Sequence, residues 1–247
     1  MTGFCGSGPW GGVDRGWAWN HRVASRRPAW AAPWVGVARE LAFASAGSSR
    51  VLWRVDWDEK YRTGEVFWNK GAPSPPLIQY LERHPVRGRA LVPGCGHGHE
   101  VALAVQHGLD ATGLDIAPTG VAEARALYPQ LAARFVVGDA FAPPPEMHGA
   151  FDLVLEHTCL SGLPPSLRAD YRRGLDLALK PGGLLIGVWF INPDLDPGET
   201  GPPFGISVPE LTTLFADGYA IVEDYVPDVA FKSREGRERL RVLRRTG

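Results

Sequence analysis

The sequence predicts an α/β fold in which a mostly parallel sheet is covered by helices on both faces. Three observations carry this. From residue 89 onward, short apolar runs alternate with stretches of helical period. The runs are hydrophobic almost throughout, as strands buried on both faces must be. The helical stretches between them are long enough to cross from one parallel strand to the next.

Taken in order, "RALVP" (89–93) reads as a strand and "HEVALAVQHG" (99–108) as an apolar-striped helix closed by Gly108. "DATGLDI" (110–116) is a strand, "PTGVAEARALY" (118–128) a helix, and "ARFVVGD" (133–139) and "FDLVLEH" (151–157) are strands. "PPSLRADYRRGLDLAL" (164–179) gives a helix with Leu167, Tyr171, Leu175 and Leu179 on one face. "KPGG" (180–183) reads as a turn, and "LLIGVWF" (184–190) as a strongly apolar strand.

Composition bounds the function. A chain of 247 residues with 45% hydrophobic and 10% aromatic content fills one large α/β domain or two small ones. A net charge of −1 offers no basic stripe for nucleic acid and no polybasic anchor for a membrane, so a small partner is expected. Cys5, Cys95 and Cys159 are odd in number and widely spaced, which assembles neither a disulfide framework nor a CxxC clip and makes the cytoplasm the expected compartment. No apolar run of about 18 residues occurs, so no membrane span is expected.

Residues 1–50 read differently from 51–247. They hold Trp10, Trp17, Trp19, Trp30 and Trp34, six arginines, and only Asp14 and Glu40 as acids, without a helical or strand period. An extension that is disordered or poorly packed is expected there, beside a domain over 51–247; a helix near 35–46 docked on that domain is the alternative. "SRRPAWAAPWVGVARELAFASAG" resembles a twin-arginine export signal only superficially, because Arg39 and Glu40 interrupt its apolar core.

The glycine turn in "ALVPGCGHGHEVALAV" (90–105) opens the functional question. A dinucleotide fingerprint, GxGxxG, needs a third glycine where this chain has His99, so the NAD reading loses one of its terms. Asp115, nineteen positions after Gly96, ends the next strand and could accept bonds from the ribose of any adenosine ligand. Asp139 ends the third strand, Glu156 and His157 end the fourth, and "LKPGGLLI" leads into the fifth. Open sheets of this kind bind ligands at the carboxyl ends of their strands. His97 and His99 form an H-x-H pair without a third or fourth ligand at suitable spacing, so no metal is expected.

That ordered set resembles the class I S-adenosylmethionine (SAM)-dependent methyltransferases. "WDEKYRTGEVFWNKGAPSPPL", "LVPGCGHGHEVA", "GLDIAP", "GDAF", "FDLVLEHTCLSGL" and "GPPFGIS" together resemble the thiopurine methyltransferase-like family, including its plant halide and thiol methyltransferase branch, from Trp57 to the C-terminus. The resemblance implies a Rossmann-like fold: a seven-stranded, mostly parallel sheet with its last strand antiparallel, which "ERLRVLRR" (238–245) would supply. It also implies SAM as cofactor and a small thiol or halide as methyl acceptor. The alternatives are another small-molecule acceptor or a non-catalytic SAM-binding module.

Carried over residue by residue, the cofactor contacts fall at Trp57, Tyr61, Trp68, Gly96, Asp115, Asp139, Ala140 and His157, with Gly94 and Gly98 opening the backbone to the ligand. Aromatic faces suit a sulfonium cation. Asp115 is expected on the ribose hydroxyls and Asp139 on the adenine amino group. Acceptor-pocket candidates are Trp189, Phe190, Pro203 and Phe204, with Trp189 or Phe190 expected in the core because adjacent strand residues face opposite ways. Phe190 and His157 stand where the plant enzymes carry tyrosines; both are candidates for handling the acceptor, His157 as a base. Cys159 is expected to be a buried, inert thiol. Small thiols titrate near about 8.5, so a thiolate acceptor needs little help from a base.

Overall fold

The computed structural model describes residues 55–191, 193 and 201–247. The extension expected over 1–50, and the helix considered near 35–46, lie outside the described residues.

The seven strands are β1 (Arg89–Pro93), β2 (Asp110–Asp115), β3 (Phe135–Val137), β4 (Phe151–His157), β5 (Leu179–Phe190), β6 (Tyr219–Tyr225) and β7 (Glu238–Arg245). They form one sheet in the order β3-β2-β1-β4-β5-β7-β6. β1 to β5 pair in parallel, and β7 runs antiparallel to both β5 and β6. The chain moves outward from β1 to β3 and then returns to β4 on the other side of β1. This reversal opens a crevice at the carboxyl ends of β1 and β4.

Helices cover both faces. α2 (Pro75–Arg83), α3 (His99–Gln106) and α4 (Pro118–Leu127) pack on one side, where Leu77, Leu103 and Val121 meet Leu153 and Leu155 of β4. α5 (Arg168–Ala178) and α6 (Val208–Leu214) pack on the other, where Tyr171, Leu175, Leu211 and Phe215 meet Val154 and Trp189. Each such side chain, fully buried, contributes about 1.5–3 kcal/mol relative to exposure. The same alternation continues to the tip of β4, sending Glu156 toward α5 and His157 toward α3. α6 starts on a capping box, in which the Ser207 hydroxyl and the Glu210 carboxylate each bond the other's backbone amide.

Several expected boundaries move. β3 is only three residues long, because Pro129–Arg134 forms a 3₁₀ turn that aims Arg134 at Asp110, 2.6 Å away. α5 ends at Ala178, so Leu179 starts β5 rather than ending the helix. "KPGG" does not leave the sheet: the β4–β5 register jumps from Phe151↔Leu179 to Leu153↔Leu184, and the extra residues bulge within the strand. β6 has no counterpart among the elements read from the sequence. It is an edge strand whose Ile221 and Val222 are exposed, so its apolar pattern does not report burial. Among the described residues no helix is long and apolar enough to cross a membrane.

Candidate active site

The site begins at the turn between β1 and α3. Gly96 has φ of +49°, and a Cβ there would lie 2.8 Å from the Tyr61 hydroxyl. Gly98 has φ of +80° and caps α3; its added Cβ would lie 2.4 Å from the Phe135 ring. Gly98 therefore gives the close helix–sheet approach that a dinucleotide fingerprint draws from its third glycine, one position earlier in the chain. His99 opens the helix with its ring bonded to the Tyr128 hydroxyl at 2.8 Å and to Asn69 at 3.1 Å.

Asp115, at the tip of β2, is buried. Its Oδ2 accepts from Gly96 N at 2.8 Å and its Oδ1 from Ala117 N at 2.9 Å. Burial pushes this carboxyl above its ordinary value, and the backbone bonds counter only part of that. A carboxylate accepts about four hydrogen bonds, so acceptor capacity remains for a ligand. Asp139 follows β3, with Oδ1 accepting from Phe141 N at 2.8 Å.

α1 (Trp57–Thr63) closes one side. Asp56 caps it, and Asp58 Oδ1 accepts from Thr119 N at 2.7 Å, tying α1 to the N-terminus of α4. That backbone bond is the main cause holding the Asp58 carboxyl below its usual range. The ring of Trp68 meets Trp57 edge-on at 5.2 Å and Tyr61 at 5.7 Å. Tyr61 also packs 5.4 Å from the His97 ring, whose Nε2 lies 2.9 Å from Glu123. Among the described residues no His/Cys/Asp/Glu group is arranged to hold a metal ion.

These elements enclose a cavity of about 620 Å³ at the carboxyl edge of the sheet. Trp57, Tyr61, Trp68, Gly94, Asp115, Asp139, Ala140 and Phe190 line it together; Gly96 and His157 do not. Of the acceptor-side candidates, Pro203 lines it beside Pro202, whereas Trp189 turns into the core against Phe215 and Phe204 stays outside the lining. The alternation expected between Trp189 and Phe190 holds. Cys159 and Tyr171 also line the cavity, and burial pushes both groups well above their ordinary values. Thr158 and Ser233, two further lining residues, take left-handed φ of 63° and 75°, a conformation costing about 1–3 kcal/mol for a residue with a side chain. Glu156 is fully buried outside the lining, with Oε1 accepting from Leu160 N at 2.8 Å and Oε2 without a hydrogen-bond partner.

A second cluster backs the acceptor side. His157 Nδ1 lies 2.9 Å from Glu100 Oε1, which also accepts from Ser74 N at 3.1 Å. Burial alone would lower the His157 pKa, but its hydrogen bond to Glu100 and the Glu238 carboxylate 3.9 Å away outweigh that and push it up to about 9. Arg234 lines the cavity, bonds Glu238 at 3.2 Å and sets its guanidinium 5.0 Å from the centre of the Phe190 ring. Sequence reasoning missed Asp58, Glu100, Arg234 and Glu238. Asp58 meets Thr119 and Glu100 meets His157 only through the assembled fold, and the Arg234–Glu238 pair, four residues apart, gains its place beside His157 in the same way.

Residues 54–245 match the protein family described as thiopurine S-methyltransferase. A probable thiol methyltransferase 2 of Arabidopsis thaliana is 30% identical over 190 residues, covering 74% of this chain and 82% of that protein. Thiocyanate methyltransferase 1 of Brassica oleracea is 27% identical over 190 residues, with the same shares. Among solved structures, the 1,6-didemethyltoxoflavin-N1-methyltransferase of Burkholderia thailandensis, with 1,6-didemethyltoxoflavin and S-adenosylhomocysteine bound, is similar with a TM-score of 0.60 at 23% identity, over 76% of this chain and 85% of that one. That last likeness concerns the fold. The family match runs from the aromatic residues of α1 through the glycine turn and both aspartates into β7, and the chain belongs to the thiopurine S-methyltransferase family.

Proposed function

We propose that this protein transfers a methyl group from SAM to a small, soft nucleophile that arrives as an anion: a thiolate or thiocyanate first, a halide second. One observation carries the reading. The cavity sets carboxylates and aromatic rings on one side and the Arg234 guanidinium, seated on Phe190, on the other. The relatives named as thiol and thiocyanate methyltransferases support the acceptor class.

The residues fit the cofactor. Gly94 brings bare backbone to the cavity wall, where an added Cβ would lie 2.7 Å from Cys159 Sγ, and Asp115 lines the cavity beside it. In this reading Asp115 receives the ribose hydroxyls, while Asp139 and Ala140 border the adenine. Trp57, Tyr61 and Trp68 face the sulfonium, at roughly 0.5–2 kcal/mol per cation–ring contact. Bound SAM supplies the electrophilic methyl group.

The chain's own part is to hold the acceptor in line and to exclude water. No lining hydroxyl or thiol with a displaced pKa is brought toward neutrality: Tyr61, Tyr171 and Cys159 are all pushed up by burial. His157 does not line the cavity, and its flanking carboxylates hold the imidazole protonated, without a lone pair for a base. The acceptor therefore ionises before the transfer.

The methyltransferase domain in this reading begins near residue 51, next to the family match that starts at 54. A cytoplasmic setting accords with the free thiols of Cys95 and Cys159. The test is S-adenosylhomocysteine formation over a panel of thiols, thiocyanate, iodide, amines and alcohols, beside calorimetric titration with SAM and NAD. Turnover confined to the sulfur and halide anions, with SAM bound and NAD not, is expected. SAM binding with turnover only of amines or alcohols would assign another acceptor, and binding without turnover a non-catalytic module.

A further inference from the structure

We propose that His157 is a positioning residue for the acceptor: by sharing Glu238 with Arg234, it leaves that guanidinium free charge to offer an anion in the cavity. The inference rests on the reading of the acceptor as an anion.

Four groups from three parts of the chain meet here. Glu100 lies in the first turn of α3, His157 ends β4, Arg234 precedes β7, and Glu238 starts it. His157 Nδ1 is 2.9 Å from Glu100 Oε1, and its Nε2 is 3.9 Å from Glu238 Oε1. Arg234 Nη1 lies 3.2 Å from the same Glu238 oxygen and 3.5 Å from His157 Nε2. The Glu238 side chain is 1% exposed and that of Arg234 9%, so these charges compensate one another rather than being screened by water.

The charge count favours the imidazolium, whose Nε2 can only donate, so that its 3.5 Å contact with Arg234 Nη1 is not a hydrogen bond. With a neutral imidazole, two buried carboxylates would face one guanidinium, leaving a net negative charge and drawing Arg234 onto Glu238. With an imidazolium the cluster closes at zero, and Glu238 is divided between two cations. Around the ring, Glu100 comes from α3, Glu238 from β7 and Arg234 from the segment before β7. The Phe231 ring lies 6.2 Å away. Glu156, the neighbour on β4, faces the other side of the sheet. The pKa values follow this arrangement, with His157 pushed up to about 9 and Glu100 held below its usual range by the imidazolium despite its burial. Because His157 does not line the cavity, it acts through Arg234.

Thiocyanate is the acceptor to use, because it stays an anion throughout the working range and contributes no titration of its own. Its KM in the wild type should be flat through neutral pH and rise as the imidazolium is lost near about 9. His157→Gln should raise that KM about tenfold at neutral pH, remove the break and leave SAM affinity within about twofold. His157→Lys, which restores the charge, should recover most of the loss. Glu238→Gln removes the anion that competes for Arg234, so it should lower KM or leave it unchanged; a purely structural defect would move both variants the same way. In the SAM-free wild type, the His157 ring signal in nuclear magnetic resonance should titrate near about 9. A midpoint near the ordinary value of about 6.5 would overturn the proposal. So would a His157→Gln enzyme with the wild-type KM and pH profile. A wild type that methylates no anion would instead overturn the acceptor reading, and this inference with it.

Discussion

Gly96 donates its backbone amide to Asp115 Oδ2 at 2.8 Å, which ties the glycine turn after β1 to the tip of β2. The bond fixes the carboxylate at the cavity wall, where it can act on a ligand without reorganising. Asp115→Ala should therefore weaken SAM binding by about 1–3 kcal/mol, roughly 5- to 150-fold, because ribose hydroxyls lose their acceptor in a closed site. Calorimetric titration checks this, and unchanged affinity would remove Asp115 from the ligand.

Trp68 stands edge-on to both Trp57 and Tyr61, at 5.2 and 5.7 Å. Trp68→Ala should raise the SAM dissociation constant about 2- to 30-fold and lower kcat as well, since one ring both faces the cation and keeps water out. Steady-state kinetics together with a melting curve separate the roles. A drop in Tm with normal affinity and turnover would make Trp68 ordinary packing.

Glu156 gives a pH prediction of stability. Burial raises its carboxyl pKa from 4.5 to about 7, against the bonds from Leu160 and Cys159. For an acid whose folded pKa is raised, the unfolded chain ionises first. Folding stability is then fully present below about 4.5 and falls as pH rises toward about 7, by at most about 3 kcal/mol. Glu156→Gln keeps an acceptor for Leu160 N and carries no charge, so it should be more stable than the wild type at pH 8 and show a flatter profile. Denaturant titrations at acid and mildly alkaline pH test this, and an equal or lower stability of the variant at pH 8 would contradict it.

The parallel part of the sheet was legible because buried strands announce themselves: "RALVP" matches β1 residue for residue. "ERLRVLRR", which the family resemblance offered as the antiparallel last strand, matches β7. Edge strand β6 was not, since Ile221 and Val222 point to solvent and Glu223 and Asp224 interrupt the pattern. Asp115 was legible because its partner Gly96 lies one strand–helix–strand unit away, a fixed distance in folds of this kind. Glu100 and Arg234 were not, being 57 and 77 positions from His157 and joined to it only by the sheet's assembly. Strand parity told that Trp189 and Phe190 part ways; only packing against Phe215 decides which one enters the core. The same parity turns His157 toward α3 and away from the cavity, beside Glu100 and Glu238, which push its pKa up.

In the proposed reaction the acceptor ionises on its own before the methyl transfer. The measurement is kcat/KM against pH, kept below the loss of the His157 proton near about 9, for two small thiols: one with a pKa near cysteine's of about 8.5, the other an aromatic thiol of clearly lower pKa. Each profile should rise with pH and bend toward a plateau at the pKa of its own thiol, so that the two curves separate along the pH axis. A single break shared by both thiols would place the titrating group on the protein and contradict transfer to an acceptor that ionises unaided.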